Sequence, residues 1–174
     1  HPEMTGRYLA DIASDWEVSQ PEACRRLMPG GACYFQMRED DVERVIKHPL
    51  SMIGSDGLPH DERPHPRLWG TFPRVLAKYW REKGVLQLEQ AIHKMTALSA
   101  RRFKLDQRGK LQVGYFADVV VFDPQSVQDL AGFENPAQFS AGIEQVWVNG
   151  VLSYTGEQRG KAARSGRFVR RASN

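Results

Sequence analysis

The spacing of apolar residues changes along the chain and separates helical stretches from extended ones. Within residues 4–27 the apolar positions recur at helical spacing, at Leu9, Ile12, Ala13 and Trp16. Ser19, followed by Gln, Pro and Glu, predicts the N-cap and first turn of a second helix that runs to about Met28. The N-terminal stretch is therefore predicted to contain two helices.

Two short apolar runs flank the next predicted helix. Residues 32–37 are β-prone, and residues 50–56 form an apolar run that ends on Asp56. Between them, acidic residues at 39–41 and apolar residues at helical spacing predict a helix that ends at Lys47. Runs of this length, bounded by turn residues, are typical of strands buried on both faces. The pattern predicts a right-handed βαβ unit with two parallel strands.

Asp56 lies at the C-terminal end of the second predicted strand, where Gly57-Leu58-Pro59 begins a loop. Parallel sheets carry their chemistry at the C-terminal ends of their strands. Asp56 is therefore a candidate catalytic acid or base. The alternative is a turn-forming aspartate before a glycine, and the pattern alone favours that alternative.

The second half of the chain passes from helical to extended periodicity. Apolar spacing predicts helices over residues 72–82 and 88–103. From Gly109 onwards strand signals appear, at Leu111, Val113, residues 119–122, residues 146–148, Val151 and Leu152. Asn149-Gly150 between two β-prone runs predicts a hairpin. Residues 123–142 have no clear period and are predicted to be a loop with a short helix.

Composition narrows the class of protein. The 174 residues are 41% hydrophobic and 26% charged, which is typical of a globular protein. The net charge of +3 comes with no basic-aromatic stripe, so nothing predicts a nucleic-acid surface, and the basic residues 159–171 are interpreted as a solvated tail. No signal peptide or membrane span is evident. Cys24 and Cys33 have neither metal-site nor disulfide spacing, which favours the reduced cytoplasm.

The histidines give weak evidence for a metal site. None of the five forms a His-x-His or His-x-x-x-His pair. His60 and His65 share the loop after Asp56, but five residues apart on a loop is poor metal spacing, and a structural or substrate-facing role is favoured for both. Asp56 is the one candidate metal ligand.

Five motifs, in order, resemble the C-terminal part of the N-acyl-D-amino-acid deacylases (D-aminoacylases) of the amidohydrolase superfamily. They are Gly54-Ser55-Asp56-Gly57, residues 65–76, Lys94-Met95-Thr96, Arg108-Gly109 with residues 114–124, and residues 146–150. The resemblance implies an α/β fold. Residues 1–104 would be the last part of a (β/α)₈ barrel, with 32–37 as its seventh strand. Residues 105–174 would be strands of a small β-sandwich and the basic tail.

The resemblance also implies a reaction and its residues. These enzymes use zinc-activated water to hydrolyse an N-acyl-D-amino acid to a carboxylate and a D-amino acid. Asp56 would be the general acid/base that passes a proton from that water to the leaving amine. Arg67, together with His65, would bind the substrate carboxylate, because the guanidinium fork accepts a carboxylate bidentately. The alternative for Arg67 is a loop ion pair with Asp61 or Glu62.

The family's main zinc ligands lie on strands that precede this stretch. We therefore expect this chain alone to hold no zinc tightly and to be inactive. An alternative is a catalytically inactive fragment or truncated polypeptide without the metal site, and a lesser one is a dihydropyrimidinase-like hydrolase. About two of eight strands cannot close a barrel, so the expected partners are the rest of the barrel or a second copy, besides the small-molecule substrate.

Overall fold

The computed structural model describes residues 1–59, 63–157 and 163–172. It divides into two compact units, His1–Gln36 and Met37–Asn174. The first unit has a 3₁₀ turn and two helices, Pro2–Met4, α1 (Leu9–Asp15) and α2 (Gln20–Leu27). The Ser19 hydroxyl accepts a hydrogen bond from the Glu22 N–H at 3.4 Å, so the predicted N-cap is confirmed.

The second unit contains most of the helices. They are α3 (Glu39–Lys47), α4 (Arg67–Arg74), a π-helix (Val75–Glu82), α5 (Leu88–Met95) and α6 (Ala97–Phe103). The helix predicted over residues 72–82 begins earlier and changes type after Pro73, which has no N–H to donate to the α-helical ladder. The helix predicted over 88–103 is broken at Thr96, whose φ of −130° and ψ of −92° are not helical.

Among the described residues, the sheet has three antiparallel strands in the order β1-β2-β3. They are β1 (Val119–Phe122), β2 (Ile143–Val148) and β3 (Val151–Thr155). β2 and β3 are joined by Asn149 and Gly150, both with positive φ (51° and 81°). Positive φ at both central residues is the requirement of a type I′ turn, so the predicted hairpin is confirmed.

Four predictions about extended structure are wrong. Within the described ranges, residues 32–37 and 50–56 are not strands, and no βαβ unit forms around α3. A strand exists only through hydrogen bonds to a neighbour, and Ile53 instead donates its N–H to the Lys94 carbonyl at 3.3 Å, in a helix. Residues 111 and 113 are not strand either, since Val113 is fully exposed and Gly114 turns the chain.

The stretch between β1 and β2 has no helix, contrary to prediction. Residues 123–142 form turns and a single bridge between Gln128 and Ala141. Gly142, at φ +70°, lies so close to Val127 that an added Cβ would clash with the Val127 backbone. The segment is therefore held by close packing and not by regular secondary structure.

One apolar core joins the helices and the sheet of the second unit. Its buried members are Ile46, Val75, Leu76, Tyr79, Leu86, Ala91 and Val127. Phe122 and Ile143 of the sheet pack against it, so residues on both sides of the predicted boundary at 104/105 share this core. That boundary stays a prediction. None of the helices in the described ranges has both the length and the apolar character that crossing a membrane requires.

Ion pairs reinforce the packing of α3 on the π-helix. The Glu39 carboxylate accepts from Lys78 at 2.8 Å and from Lys83 at 3.1 Å, and Lys83 also pairs with Glu43 at 2.5 Å. The hydrogen bond from Lys78 is the largest cause that lowers the pKa of Glu39 to about 2. Glu39 is therefore charged throughout the physiological range.

Candidate functional site

Asp56 lies on a tight loop that rests on helix α4. Its φ of +49° is left-handed, a conformation that aspartate tolerates better than most residues. Ser55 Oγ accepts a hydrogen bond from the Gly57 N–H at 3.3 Å. A Cβ on Gly57 would lie 2.6 Å from the Leu68 Cα, so the loop touches the α4 backbone directly. Asp56 is thus held beside the start of α4 with its side chain 84% exposed.

Arg67 is the first residue of α4 and reaches back to this loop. Its Nη2 atom lies 3.1 Å from the Asp56 Oδ2, and the Arg67 carbonyl accepts from the Thr71 hydroxyl at 2.7 Å. The Arg67 Nε is buried and has no hydrogen-bond partner in the part of the chain that the structure describes. The structure therefore brings together the two residues that the sequence singled out. Asp61 and Glu62, the alternative partners, lie outside the described residues.

His65 hydrogen-bonds to the backbone at the start of α4. Its Nδ1 accepts the Arg67 backbone N–H at 3.0 Å, and its ring meets Phe133 edge-on with centroids 5.1 Å apart. Burial, and then the charge of Arg67, lower the pKa of His65. A neutral ring that accepts at Nδ1 carries its proton at Nε2, an assignment that follows from the hydrogen bond. His65 thus has a donor to offer a ligand.

The aperiodic stretch between β1 and β2 forms a wall against α4. Asp129 pairs with Arg74 at 2.9 Å, and Trp69 meets Phe139 edge-on with centroids 5.1 Å apart. Gly70 faces Asp129, whose Cβ would be 3.2 Å from an added Cβ. Sequence reasoning missed this wall, because its contacts join residues some 55 to 70 positions apart and leave no local period.

Lys94 supports the segment that leads to Asp56. It is only 4% exposed, and its Nζ donates to the carbonyls of His48 at 2.5 Å and Ser51 at 3.1 Å. Burial lowers its pKa. The sequence contains a signal for the burial of Lys94. The residue follows Ala91 by three positions and precedes Leu98 by four, so it falls on an apolar helix face.

The described residues do not by themselves fit a zinc ion. No group of three or more His, Cys, Asp or Glu side chains lies close enough together, within those ranges, to hold a metal. His60, one of the two loop histidines, lies outside the described residues. Asp56 has Arg67 beside it, and a cation is a poor neighbour for a metal ligand. Cys24 and Cys33 are free and exposed.

Comparison with known proteins places the chain in a family. The model of the amidohydrolase family matches residues 12–154. The D-aminoacylase of Alcaligenes xylosoxydans xylosoxydans is 53% identical over 165 residues, which cover 92% of this chain and 34% of that protein. The N-acyl-D-glutamate deacylase of the same organism is 52% identical over 171 residues, 98% of this chain and 35% of that protein.

A solved structure extends the similarity to three dimensions. The N-acyl-D-glutamate deacylase of Bordetella bronchiseptica, crystallised with zinc and a phosphonate that mimics the tetrahedral intermediate, superposes with a TM-score of 0.88 at 52% identity. The match covers 98% of this chain and 35% of that one. The chain therefore spans about a third of the length of these relatives.

Proposed function

Since the chain belongs to the amidohydrolase family, we propose that it forms the C-terminal part of a zinc-dependent N-acyl-D-amino-acid deacylase. The observation that carries the proposal is the Asp56–Arg67 pair, 3.1 Å apart, which places a proton-transfer group beside a carboxylate-binding group. A hydrolase that acts on N-acyl-D-amino acids needs both. In this proposal residues 1–104 belong to a (β/α)₈ barrel and residues 105–174 to a small β-sandwich domain with a basic tail.

Exposed apolar side chains support the proposal that this chain is part of a larger barrel. Tyr34, Phe35, Met37 and Leu50 are each between 68% and 74% exposed in this chain. They lie on the two runs whose pattern is that of buried strands. The rest of the barrel would cover these side chains. It is therefore the first partner that we propose, and self-association of the chain through the same apolar faces is the second.

Asp56 moves the proton in the proposed reaction. The attacking water gives a proton to the Asp56 carboxylate as its oxygen bonds to the acyl carbon. Asp56 then gives that proton to the amide nitrogen, the C–N bond breaks, and the products are a carboxylate and a D-amino acid. The high exposure of Asp56 in this chain leaves it accessible to such a substrate. Zinc ligands are not supplied by the described residues, so no step through the metal is assigned to them.

Arg67 and His65 hold the substrate carboxylate in this proposal. The Arg67 side chain is 40% exposed, so a substrate carboxylate can reach its guanidinium group from solvent. His65, neutral and protonated at Nε2, adds a second donor on the same turn. Free Cys24 and Cys33 are consistent with a reduced cytoplasm, which we also propose as the setting.

The test is a chimera in which this chain replaces the matching C-terminal part of the Bordetella bronchiseptica N-acyl-D-glutamate deacylase. We expect a zinc-containing protein that hydrolyses N-acyl-D-amino acids. Asp56→Asn should lower kcat by about 10²- to 10⁴-fold at unchanged zinc content. Asp40→Asn, at an exposed aspartate of α3 that pairs with Arg38, is the matched control and should leave kcat unchanged.

Two outcomes contradict the proposal. A folded, zinc-loaded chimera without turnover would favour the catalytically inactive alternative. An active chimera whose kcat is unaffected by Asp56→Asn would remove Asp56 from the reaction. The 174-residue chain alone is expected to be inactive, and chelator-sensitive deacylase activity of that chain would contradict the assignment of the zinc ligands to the rest of the barrel.

Substrate recognition is tested separately with Arg67→Lys, which keeps the charge and loses the fork. We expect KM for N-acyl-D-amino acids to rise by about tenfold or more, in line with the loss of a charge-assisted hydrogen bond. Analogues whose carboxylate is amidated should change much less. Arg44→Lys, at an exposed arginine of α3, is the control. Equal weakening of acid and amide substrates would assign Arg67 to the structure of the loop.

A further inference from the structure

We propose that Lys94 is a positioning residue for Asp56: it clamps the backbone of residues 48–53 and so fixes where the loop presents the Asp56 carboxylate. The inference rests on the proposed function, since it concerns the acid/base of that reaction. It adds a residue that contacts neither the substrate nor Asp56.

Lys94 holds this segment through both its side chain and its main chain. Its Nζ donates to the carbonyls of His48 (2.5 Å) and Ser51 (3.1 Å). Its own carbonyl accepts the Ile53 N–H at 3.3 Å. One helical residue thus makes three hydrogen bonds to a six-residue stretch. Only two residues then separate Ile53 from Asp56.

The loop is fixed at its other end by a backbone contact. The approach of Gly57 to Leu68 holds the chain just after Asp56. Lys94 holds the chain just before Asp56, and Arg67 of α4 pairs with the Asp56 carboxylate. With both ends fixed, the position of Asp56 depends on two elements, α4 and α5. Lys94 is the link to α5.

Packing alone does not explain a buried lysine at this position. The side chain is 4% exposed, and no carboxylate within the described ranges pairs with it. Burying an unpaired ammonium costs free energy that an apolar side chain such as Met would not cost. What the ammonium provides and Met does not is a set of directed donors that reach two carbonyls at once.

The experiment uses the same chimera with Lys94→Met. We expect kcat per bound zinc to fall by about 100-fold, as a displaced catalytic group would cause, with KM changed less than about threefold. Lys78→Met is the matched control, because Lys78 is a largely buried lysine that serves the Glu39 ion pair. It should leave kcat per zinc unchanged. If Lys94→Met does not fold, Lys94→Gln, which keeps an N–H donor, carries the same test.

A double-mutant cycle separates positioning from general loss of structure. In an Asp56→Asn background, Lys94→Met should lower kcat no further, because the group that it positions is already gone. An equal fall in both backgrounds would overturn the proposal, as would an unchanged kcat per zinc in the single variant.

Amide hydrogen exchange of the folded chimera provides a readout that does not need activity. Lys94→Met should raise exchange across residues 48–57 by at least about tenfold, and Lys78→Met should not. Unchanged exchange in this peptide would overturn the proposal even if the chimera has no turnover. A folded but inactive parent chimera contradicts the proposed function alone, so the two failures are distinguishable.

Discussion

Residues 50–56 and the β2–β3 hairpin both carry strand signals in the sequence, but different kinds of contact hold them in the structure. The hairpin strands hydrogen-bond to each other, with Val148 opposite Val151 and Val146 opposite Tyr154. Residues 50–57 pair with no strand within the described ranges. They are held instead by Lys94 on one side and by Leu68 on the other.

The two strands of the hairpin pair locally, and residues from elsewhere in the chain hold its turn. Asn149 takes the left-handed conformation of the turn, and its N–H donates to the Asp118 carboxylate at 2.8 Å. Its amide group accepts from Arg108 at 2.7 Å and donates to the Ser165 carbonyl at 2.7 Å. Arg108 in turn pairs with Asp118. The pairing of β2 with β3 is therefore local, whereas the hydrogen bonds of the Asn149 side chain and N–H join it to distant residues.

The Asp56 segment depends on residues far away in sequence. Lys94 lies more than 40 positions after the carbonyls that it binds. This arrangement puts a candidate catalytic group on backbone whose position other elements determine. The Asp56 segment pairs with no strand in the described part of the chain, so it should be more sensitive to distant substitutions than the hairpin, whose two strands pair with each other.

The largest effect is expected from Gly57→Ala. The new Cβ would meet the Leu68 backbone at 2.6 Å, so the loop must move and carry Asp56 away from Arg67. A shift of about 1 Å should lower kcat/KM of the chimera by about 100-fold. Gly166→Ala, with open space at the Cβ position, is the control. Similar activity for both variants would show that the loop tolerates displacement.

The hairpin should lose stability through its turn. Asn149→Ala removes two side-chain hydrogen bonds and places alanine at φ +51°. We expect the free energy of unfolding of the 174-residue chain to fall by about 2 kcal/mol in urea denaturation. Gly150→Ala, at φ +81° with open space around it, adds only the strain of a left-handed alanine. It should lower the free energy of unfolding by about 1 kcal/mol. Equal losses would mean that the Asn149 side-chain contacts contribute nothing.

These two regions also show what the sequence could predict. Asn149-Gly150 and the Ser19 cap are local signals, and both are confirmed. Asp56 and Arg67 were singled out through the family resemblance, and the structure brings them within 3.1 Å of each other. The strand at residues 50–56 was wrong, because an apolar run specifies burial but not the neighbour that makes a strand. The wall at residues 129–139 and the carbonyl partners of Lys94 depend on contacts between distant residues, which periodicity does not record.

Acid should weaken the contact between α3 and the π-helix. The pKa of Glu39 is about 2, below its usual 4.5, so its stabilisation is complete above pH 4.5 and is lost as the pH falls through about 2. The Glu39 side chain is 42% exposed, so solvent screening limits this contribution to about 1 kcal/mol. Urea denaturation of the chain at pH 6 and pH 2 should show that wild type loses about this much more than Glu39→Gln. Equal losses would mean that the pairs with Lys78 and Lys83 add no stability.

The smallest effect is expected from His65, on the loop side of the comparison. Burial and Arg67 lower its pKa in the folded protein, so the unfolded chain binds a proton more readily. Stability therefore rises with pH between the folded pKa and the ordinary value of about 6.5, and falls as the pH drops through this window. Protonation also removes the Nδ1 acceptor of the Arg67 N–H, a bond whose net contribution is about 0.5 to 1 kcal/mol.

His65→Asn can keep an acceptor oxygen near that N–H and does not titrate. Urea denaturation between pH 5 and pH 7 should show a steeper loss toward acid for wild type than for His65→Asn. Parallel pH profiles would show that His65 does not couple protonation to the start of α4, and its proposed role as a neutral donor to the substrate carboxylate would lose its support.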